Sequence, residues 1–408
     1  MSQIELETIQ RRTVKTLTAG QVLGGFGLGS TLSIGALLAA DLSGTAAWSG
    51  AAATFSTLGS ATWAIPLARL AAKRGRRVAL ATGAALAISG ATLVIAAASL
   101  RFFPLLLVAL FLLGSGSAAG LQARFAATDL PSNRSAGRDL AVVVWATTVG
   151  AVIGPNLFGP GEIVGNQLGM PTLTGPFLFT IAAQLSATSV FWFGLRPDPL
   201  LTAQQLDVDR SNRPKVSLKS AMVTLRRHPL ASYAMASIAL SHMVMVSVMS
   251  MTPVHMTSHG ATLVLVGFTI SLHIAGMYAF APIFGILSDK FGRVKTVIIG
   301  QLILVIALAL AGLGSEDHNL VAIGLFLLGL GWSAATVAGS TLLATALPAE
   351  EKANVQGVSD SLMSLAGAFG GAVAGTILAA FAFVGLNAAA LIPVSVVLIL
   401  TALRRSRG

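Results

Sequence analysis

The chain has 408 residues, of which 54% are hydrophobic and only 10% charged, and its mean hydropathy is +0.81. A soluble protein of this length needs far less apolar surface for its core, so the composition excludes a soluble protein and predicts an integral membrane protein. The net charge of +11 is carried by short basic turns and not by a groove lined with aromatic residues, which argues against a nucleic-acid function, and we expect no nucleic acid as a partner.

Twelve apolar stretches follow one another along the chain. Each is long enough to cross the roughly 30 Å hydrocarbon layer, which takes about 20 helical residues. They are predicted at 17–40, 46–68, 78–100, 102–126, 140–161, 175–195, 229–252, 262–286, 294–314, 319–346, 356–381 and 384–403. With this assignment every Lys and Arg except Arg101 lies on the side of the termini, which places both termini in the cytoplasm by the positive-inside rule.

A charged segment rich in proline separates the first six predicted helices from the last six. It has the composition of a linker and contains an amphipathic stretch between Lys215 and Arg227. The predicted domains are an N-terminal six-helix bundle at 1–196, a cytoplasmic linker at 197–228 and a C-terminal six-helix bundle at 229–408. The fold class is therefore an all-α polytopic membrane protein with twelve transmembrane helices in two halves.

Two loops repeat one pattern in the two halves. Residues 68–77 read Ala-Arg-Leu-Ala-Ala-Lys-Arg-Gly-Arg-Arg, and residues 285–295 read Gly-Ile-Leu-Ser-Asp-Lys-Phe-Gly-Arg-Val-Lys. Aligned at Gly75 and Gly292, both give small-x-Leu-small-x-Lys-x-Gly-Arg. This match indicates an internal repeat of six plus six helices.

The second loop resembles the Gly-x-Leu-Ala-Asp-Arg-x-Gly-Arg-Arg signature of the major facilitator superfamily. The resemblance implies the major facilitator fold and a gating latch at the cytoplasmic ends of neighbouring helices. The latch residues are Gly285, Asp289, Gly292 and Arg293. A simple basic turn is the alternative. In the first loop Ala72 replaces the acid and Ala68 the first glycine, so a latch there is expected to lack its anion.

Helix 5 contains Gly150-Ala-Val-Ile-Gly-Pro155 followed by Gly159, which resembles the Gly-Pro motif of the superfamily's antiporters. This resemblance favours an alternative function, a proton-coupled exporter of drugs or small metabolites. Against it, helix 4 has no arginine at mid-depth, and the acids of other predicted helices fall near helix ends, whereas a proton relay uses a buried acid. A packing motif is the other interpretation of helix 5, because small residues let membrane helices approach closely.

Soft metal ligands are concentrated in one window of the chain. Seven of the eleven methionines and four of the six histidines fall between Met235 and Met277, on predicted helices 7 and 8 and the turn between them. Because the chain has no cysteine, a soft ligand has to be a thioether or an imidazole. Thioether sulfur prefers Cu(I) and imidazole suits copper, zinc and nickel, so the combination points to copper.

Two pairs in this window have helical spacing. Met245 and Met249 are four residues apart on helix 7, and the same spacing separates His273 from Met277 on helix 8. Each pair therefore presents two donors on one helix face. Core packing is the alternative for the methionines. For His273 the alternative is a gating hydrogen bond or a proton carrier, because a polar ring inside a membrane is costly and marks a functional site.

Further Met and His residues occur along helix 7 and at its extracytoplasmic end. They are candidate capture ligands, which would gather copper at the mouth of the pathway: His242, Met251, His255, Met256 and His259. Ordinary loop residues are the alternative at the mouth, because a histidine at an exposed turn needs no special explanation.

The two pairs, with 28 residues from Met245 to His273, resemble the motifs of the CcoA-like (CalT) copper importers within the superfamily. The resemblance implies import of copper, as Cu(I), across the bacterial inner membrane for copper enzymes such as cytochrome oxidase. It also implies a metal-binding set, which is Met245, Met249, His273 and Met277. Copper is then the transported substrate, no bound organic cofactor is expected, and a periplasmic or cytosolic copper chaperone is an expected partner.

Alternating access would carry the ion, held near the midplane, as the two halves rock. Thioethers bind Cu(I) without a proton cost, whereas His273 has to be deprotonated at the bonding nitrogen. We expect a monomer in the lipid bilayer and no enzymatic activity, since no phosphate-binding loop, paired carboxylates or activated nucleophile is recognisable. A copper sensor that binds without transporting is a further alternative, and the direction of transport comes from the resemblance alone.

Overall fold

The computed structural model describes residues 3–29, 33–127, 129–130, 136–206, 218–347 and 349–405. Within them a 3₁₀ helix at Ala46–Gly50 precedes α3, and short turns join most of the α-helices. The helix bounds are Gln3–Gly29 (α1), Gly35–Ser43 (α2), Ala51–Arg74 (α3), Arg76–Ser99 (α4), Phe103–Ala126 (α5), Ala136–Asn156 (α6), Phe158–Gln167 (α7), Pro176–Gly194 (α8), Pro199–Leu206 (α9), Leu218–Arg227 (α10), Pro229–Ser258 (α11), Leu263–Tyr278 (α12), Ala281–Phe291 (α13), Arg293–Leu313 (α14), His318–Thr345 (α15) and Ala349–Arg405 (α16).

The prediction of an all-α membrane protein is confirmed. The described residues contain no β-strand, and eight of their helical segments are long and apolar enough to cross a membrane. One of these segments, Val358–Arg404, contains the predicted stretch 384–403 and all but the first two residues of 356–381. Each predicted stretch overlaps one or two of the helices, as at 262–286, where α12 and α13 follow one another.

Backbone conformations at three residues set helix boundaries that matter for the site. Gly75 has φ 89° between α3 and α4, and Gly292 has φ 96° between α13 and α14. Glycine adopts this region at little cost, whereas an L side chain is strained there. The two aligned glycines therefore have the same backbone role, which supports the internal repeat. At Ala382, φ is 56°, and this residue breaks α16 into two arms.

The chain forms two compact units. Unit 1 comprises Met1–Ser43, Phe55–Arg213 and Thr262–Ser271, and unit 2 comprises Gly44–Thr54, Pro214–Ala261 and Leu272–Gly408. Most of each predicted bundle lies in one unit, while 44–54 and 262–271 belong to the unit formed mainly by the other bundle. Within the predicted linker, α9 and α10 are helical, and residues 207–217 lie outside the described residues.

Each unit has its own buried apolar cluster. In unit 1, α1, α4, α5 and α8 contribute residues such as Leu17, Leu80 and Phe191. In unit 2, α10, α11, α14, α15 and both arms of α16 contribute residues such as Tyr233 and Leu342. Since lipid tails are as apolar as these side chains, close packing and hydrogen bonds hold membrane helices together more than the hydrophobic effect does.

Candidate functional site

The four predicted metal ligands lie in unit 2, on α11 and α12. Met245 and Met249 occupy successive turns of α11 and are 3% and 5% exposed. His273 and Met277 occupy successive turns of α12 and are 0% and 6% exposed. Each pair therefore shares one face of its helix, as the spacing predicts, and all four side chains are buried.

The His273 imidazole is held by one hydrogen bond and has one free nitrogen. Its Nδ1 lies 2.7 Å from the carbonyl oxygen of Leu325 on α15. A carbonyl only accepts, so Nδ1 carries the proton and, in the neutral ring, Nε2 carries the lone pair. Nε2 is buried and has no hydrogen-bond partner among the described residues. The ring therefore presents an unused lone pair inside the protein, which is costly unless something binds it.

Two glycines bring α12 and α15 close together around this histidine. A Cβ on Gly329 of α15 would collide with the carbonyl oxygen of His273 and would come within 3.0 Å of the Met277 nitrogen. A Cβ on Gly276 of α12 would lie 2.6 Å from the carbonyl oxygen of Phe326. Both neighbours are backbone atoms that cannot move aside. The backbone of α12 from His273 to Met277 therefore packs directly against the backbone of α15.

His242, one of the candidate capture ligands, has a different environment. The indole nitrogen of Trp332 donates to its Nδ1 at 3.1 Å, so the lone pair of the neutral ring is already engaged. Trp332 in turn packs edge-on against Tyr278, with ring centroids 5.8 Å apart. A metal could bind His242 at Nδ1 only after Trp332 had moved away.

At the predicted mouth, His255 joins three segments of unit 2. Its Nε2 donates to the carbonyl oxygen of Ser315 at 2.8 Å, and its ring stacks on Phe383 at 4.2 Å. His259 donates from Nδ1 to the His255 carbonyl oxygen, and its Nε2 lies 3.7 Å from a carboxylate oxygen of Glu316. These contacts hold the end of α11 against the loop before α15 and the bend in α16.

The two methionines of the capture group are fully buried. Met251 and Met256 are each 0% exposed. The sulfur of Met251 accepts a hydrogen bond from the Ser49 hydroxyl at 3.1 Å. In this conformation both thioethers are packed among protein atoms, so they could take part in capture only if α11 moved relative to its neighbours.

The donor types present restrict how a metal could be held. Among the described residues, no group of three or more His, Asp or Glu side chains is arranged to hold a metal ion. A metal site in this part of the chain would therefore depend on thioether sulfur together with one imidazole. That combination suits Cu(I) better than zinc, whose usual ligands are thiolate, imidazole and carboxylate.

The sequence does not indicate the hydrogen-bond partners of these histidines. Leu325, Trp332 and Ser315 lie 52 to 90 residues from the histidines they contact. Periodicity relates residues on one helix and carries no information about a contact between helices. An apolar helix that contains a tryptophan, as α15 does, was the one available signal.

Two carboxylates contact the first repeated loop, although the loop itself contains no acid. Arg76 pairs with Asp129, with Nε 2.8 Å from one carboxylate oxygen and Nη2 3.2 Å from the other, and both side chains are largely buried. Asp198 accepts from the backbone N–H of Arg77 at 2.8 Å and also caps α9. The expectation that a latch here lacks its anion is therefore wrong, because acids distant in sequence take the place of the acid missing at Ala72.

In the second repeated loop, the arginine binds a hydroxyl group and not a carboxylate. Nη1 of Arg293 donates to the Thr345 hydroxyl at 2.6 Å, and no ion pair joins Asp289 to Arg293 among the described residues. The sequence Thr-Asp-Leu-Pro at 128–131 corresponds to Thr-Ala-Leu-Pro at 345–348, so Ala346 stands where the first half has Asp129. Each half thus keeps one of the two acids of the repeated pattern.

The glycines of helix 5 have a packing role. In α6, a Cβ on Gly150 would collide with the carbonyl oxygen of Val22, and one on Gly154 would lie 2.5 Å from that of Phe26. On α1, a Cβ on Gly25 would lie 2.8 Å from the α6 backbone. These contacts let α1 and α6 cross at backbone distance, which accounts for the small residues of the motif.

Comparisons with known proteins agree on the type of molecule. Residues 17–277 and 234–408 match the Major Facilitator Superfamily. The chain is 35% identical over 383 residues to the uncharacterized MFS-type transporter YdeG of Bacillus subtilis, covering 93% of this chain and 89% of that protein. It is 28% identical over 360 residues to the riboflavin transporter RfnT of Brucella anthropi, covering 87% and 86%. The solved structure of the nucleoside transporter NupG has 14% identity and a TM-score of 0.72, covering 97% of this chain and 99% of that one.

Proposed function

The chain belongs to the Major Facilitator Superfamily, a family of membrane transporters, and from that premise we propose that it imports copper, as Cu(I), across the bacterial inner membrane by alternating access. The metal-binding set in this proposal is Met245, Met249, His273 and Met277. Their roles follow from donor chemistry, with three neutral thioethers and one neutral imidazole for a soft monovalent ion.

The observation that carries the proposal is the state of His273. An imidazole that binds a metal usually donates its other N–H to a carbonyl or carboxylate, which fixes the ring orientation and the free lone pair. His273 has this arrangement, with Nδ1 bound to the Leu325 carbonyl oxygen and Nε2 buried without a partner. Met277 lies one helical turn further along α12 and supplies a thioether sulfur as a second soft donor. A proton donor on an organic cargo could also satisfy Nε2, so the test has to separate the two kinds of cargo.

In the proposed transport cycle, the Met and His side chains would bind the ion one after another. His259 and His255 at the mouth would meet the ion first, and the buried thioethers and His273 would bind it deeper in the membrane. Weak ligands suit this task because a transporter has to release its cargo as readily as it binds it. With both termini in the cytoplasm and the protein acting as a monomer, a chaperone on either side would deliver or receive the ion.

A second candidate function is transport of an organic solute, by export or import. Two observations favour it. RfnT, a relative over most of the chain, is named a riboflavin transporter. In unit 2, Trp332, Tyr278 and His242 form a cluster of aromatic rings with a polar edge, a combination that recognises planar organic molecules in many binding sites.

Uptake of radioactive copper into proteoliposomes under reducing conditions tests the proposal. Wild type should accumulate copper, while Met249→Leu and His273→Asn should fail at equal protein level. Met235→Leu is the matched control, because Met235 is also a buried methionine of α11 but lies outside the proposed set. Leucine conserves the volume of methionine, so fold and expression should be unchanged. Riboflavin and a nucleoside serve as alternative cargoes. If copper does not move, or all variants transport it equally, the proposal is overturned, and uptake of an organic cargo would support the second candidate.

A further inference from the structure

The short helix α10 has two distinct faces. Ala221, Thr224 and Leu225 are almost fully buried, and Ala221 and Leu225 pack into the apolar cluster of unit 2. Met222 and Val223 are each 45% exposed. The buried residues are spaced by three and four, so they define one stripe of the helix and the two exposed apolar residues lie outside it.

Arginines continue the exposed face of α10. Arg226 follows Met222 by one helical turn, and Arg227 follows Val223 in the same way. Both arginine side chains are exposed, and neither has a carboxylate partner among the described residues. The exposed face of α10 therefore has two apolar side chains, Met222 and Val223, on one turn and two arginines without a carboxylate partner among the described residues on the following turn.

The position of α10 is fixed close to the start of a membrane-spanning helix. Its last residue, Arg227, is followed by His228, whose backbone N–H donates to the carbonyls of Thr224 and Leu225, and α11 begins at Pro229. The Ser232 hydroxyl donates to the carbonyl oxygen of Leu225 at 2.7 Å. These hydrogen bonds hold α10 firmly against the first turn of α11.

The length of α11 indicates the depth of that first turn. This helix has 30 residues, which at about 1.5 Å per residue span about 45 Å. The hydrocarbon core is about 30 Å thick and the bilayer with its headgroups about 40–45 Å. The ends of α11 therefore reach the headgroup layers, and α10 lies at one of them.

A third guanidinium group, that of Arg404, lies near the start of α11 and therefore at the depth of the headgroup layer. Arg404, near the end of α16, lies over the ring of Tyr233 at 5.7 Å, and the Tyr233 hydroxyl is hydrogen-bonded to Thr401 at 2.8 Å. Tyr233 is only four residues from the start of α11, so Arg404 is also held at the headgroup layer. Tyrosine is itself enriched at membrane interfaces.

We propose that the exposed face of α10, with Arg404, is a binding surface for anionic phospholipid headgroups. Met222 and Val223 insert among the upper acyl carbons, and Arg226, Arg227 and Arg404 bind headgroup phosphates. The guanidinium group matches the geometry of a phosphate with two parallel N–H donors. An apolar residue beside a cation at interface depth is the pattern of helices that lie in the headgroup plane. The negative charge of such lipids complements α10, whose residues Leu218–Arg227 include two arginines and no acid.

The absence of cysteine allows a direct test. Val223→Cys introduces a single thiol, which is labelled with an environment-sensitive fluorophore in the full chain. The protein is placed in bilayers of phosphatidylcholine alone or mixed with phosphatidylglycerol, and quenching by lipids spin-labelled near the headgroup is measured. We expect stronger quenching with phosphatidylglycerol. Arg226→Gln with Arg227→Gln should remove most of the difference between the two lipid mixtures and leave only the contribution of Arg404, since each arginine near an anionic surface contributes about a fivefold gain in binding.

Two further variants keep the test decisive. Arg69→Gln with Arg74→Gln removes two exposed arginines at the 68–77 loop of unit 1 and should leave the quenching unchanged. Met222→Ser should reduce quenching in both lipid mixtures without changing the charge. If the fluorophore is equally exposed to water in both mixtures, or if the two arginine pairs have equal effects, the surface is not a lipid site and the proposal is overturned. Thermal melting of each variant separates loss of the surface from loss of the fold.

Discussion

His273 on α12 donates its Nδ1 proton to the carbonyl oxygen of Leu325 on α15 at a distance of 2.7 Å. This one bond determines the tautomer of the only histidine on α12, and it turns the Nε2 lone pair toward the protein interior. It also ties the turn that carries Met277 to a neighbouring helix. The same hydrogen bond therefore orients His273 as a proposed ligand and helps to hold α12 against α15.

His273→Asn separates these two properties. The asparagine amide can donate near the position of Nδ1, so the bond to Leu325 should survive, while the Nε2 lone pair is lost. We expect a normal melting temperature in detergent and a fall in copper uptake of about tenfold or more. His273→Leu should lower both, because it also removes the hydrogen bond. If the asparagine variant transports at the wild-type rate, His273 is a packing residue.

Gly329→Ala should disturb the site without changing any ligand. Its Cβ would collide with the backbone at His273, so α12 and α15 would have to move apart. Overpacking of this kind costs about 1–3 kcal/mol, and we expect a lower melting temperature together with weaker uptake. Gly24→Ala on α1 is the control, since a Cβ there has nothing within 4 Å. Equal behaviour of the two variants would contradict the close contact between α12 and α15.

The pair formed by Arg76 and Asp129 should stabilise unit 1. Arg76→Gln and Asp129→Asn each leave a largely buried partner without its counter-charge, which costs about 1–3 kcal/mol. The double variant should cost less than the sum of the single changes, because each change already breaks the same bond. Thermal unfolding of the four proteins in one detergent measures this coupling. Strict additivity would show that the two side chains act independently.

Ala346→Asp should give the second half the acid that the first half has at Asp129. Because Arg293 aligns with Arg76 and Ala346 with Asp129, which form an ion pair in the first half, we expect the new carboxylate to pair with the guanidinium group that Thr345 binds at 2.6 Å. An exposed pair of this kind contributes about 0.2–1 kcal/mol. We expect a slightly higher melting temperature and slower transport, because the Arg293 loop would be held more firmly. Ala346→Asn is the uncharged control and should change neither quantity.

The repeated loops show both the strength and the limit of sequence reasoning. The aligned glycines were recognisable from spacing, and both have the positive φ that glycine tolerates. The sequence also shows that Ala72 replaces the acid of the pattern, but it does not indicate which distant acid takes over that role. Asp129 comes from the turn after α5, and its meeting with Arg76 depends on how α4 and α5 pack.

The sequence by itself determined the class of molecule, the approximate position of the helices and the face on which each Met or His lies. These are consequences of composition and helical period, which act along the chain. Only the tertiary structure decided which nitrogen of His273 is free, why the lone pair of His242 is engaged by Trp332, and which acid pairs with Arg76. These depend on contacts between helices far apart in sequence, and such contacts are selected by the packing of small residues and backbone atoms, which no local pattern encodes.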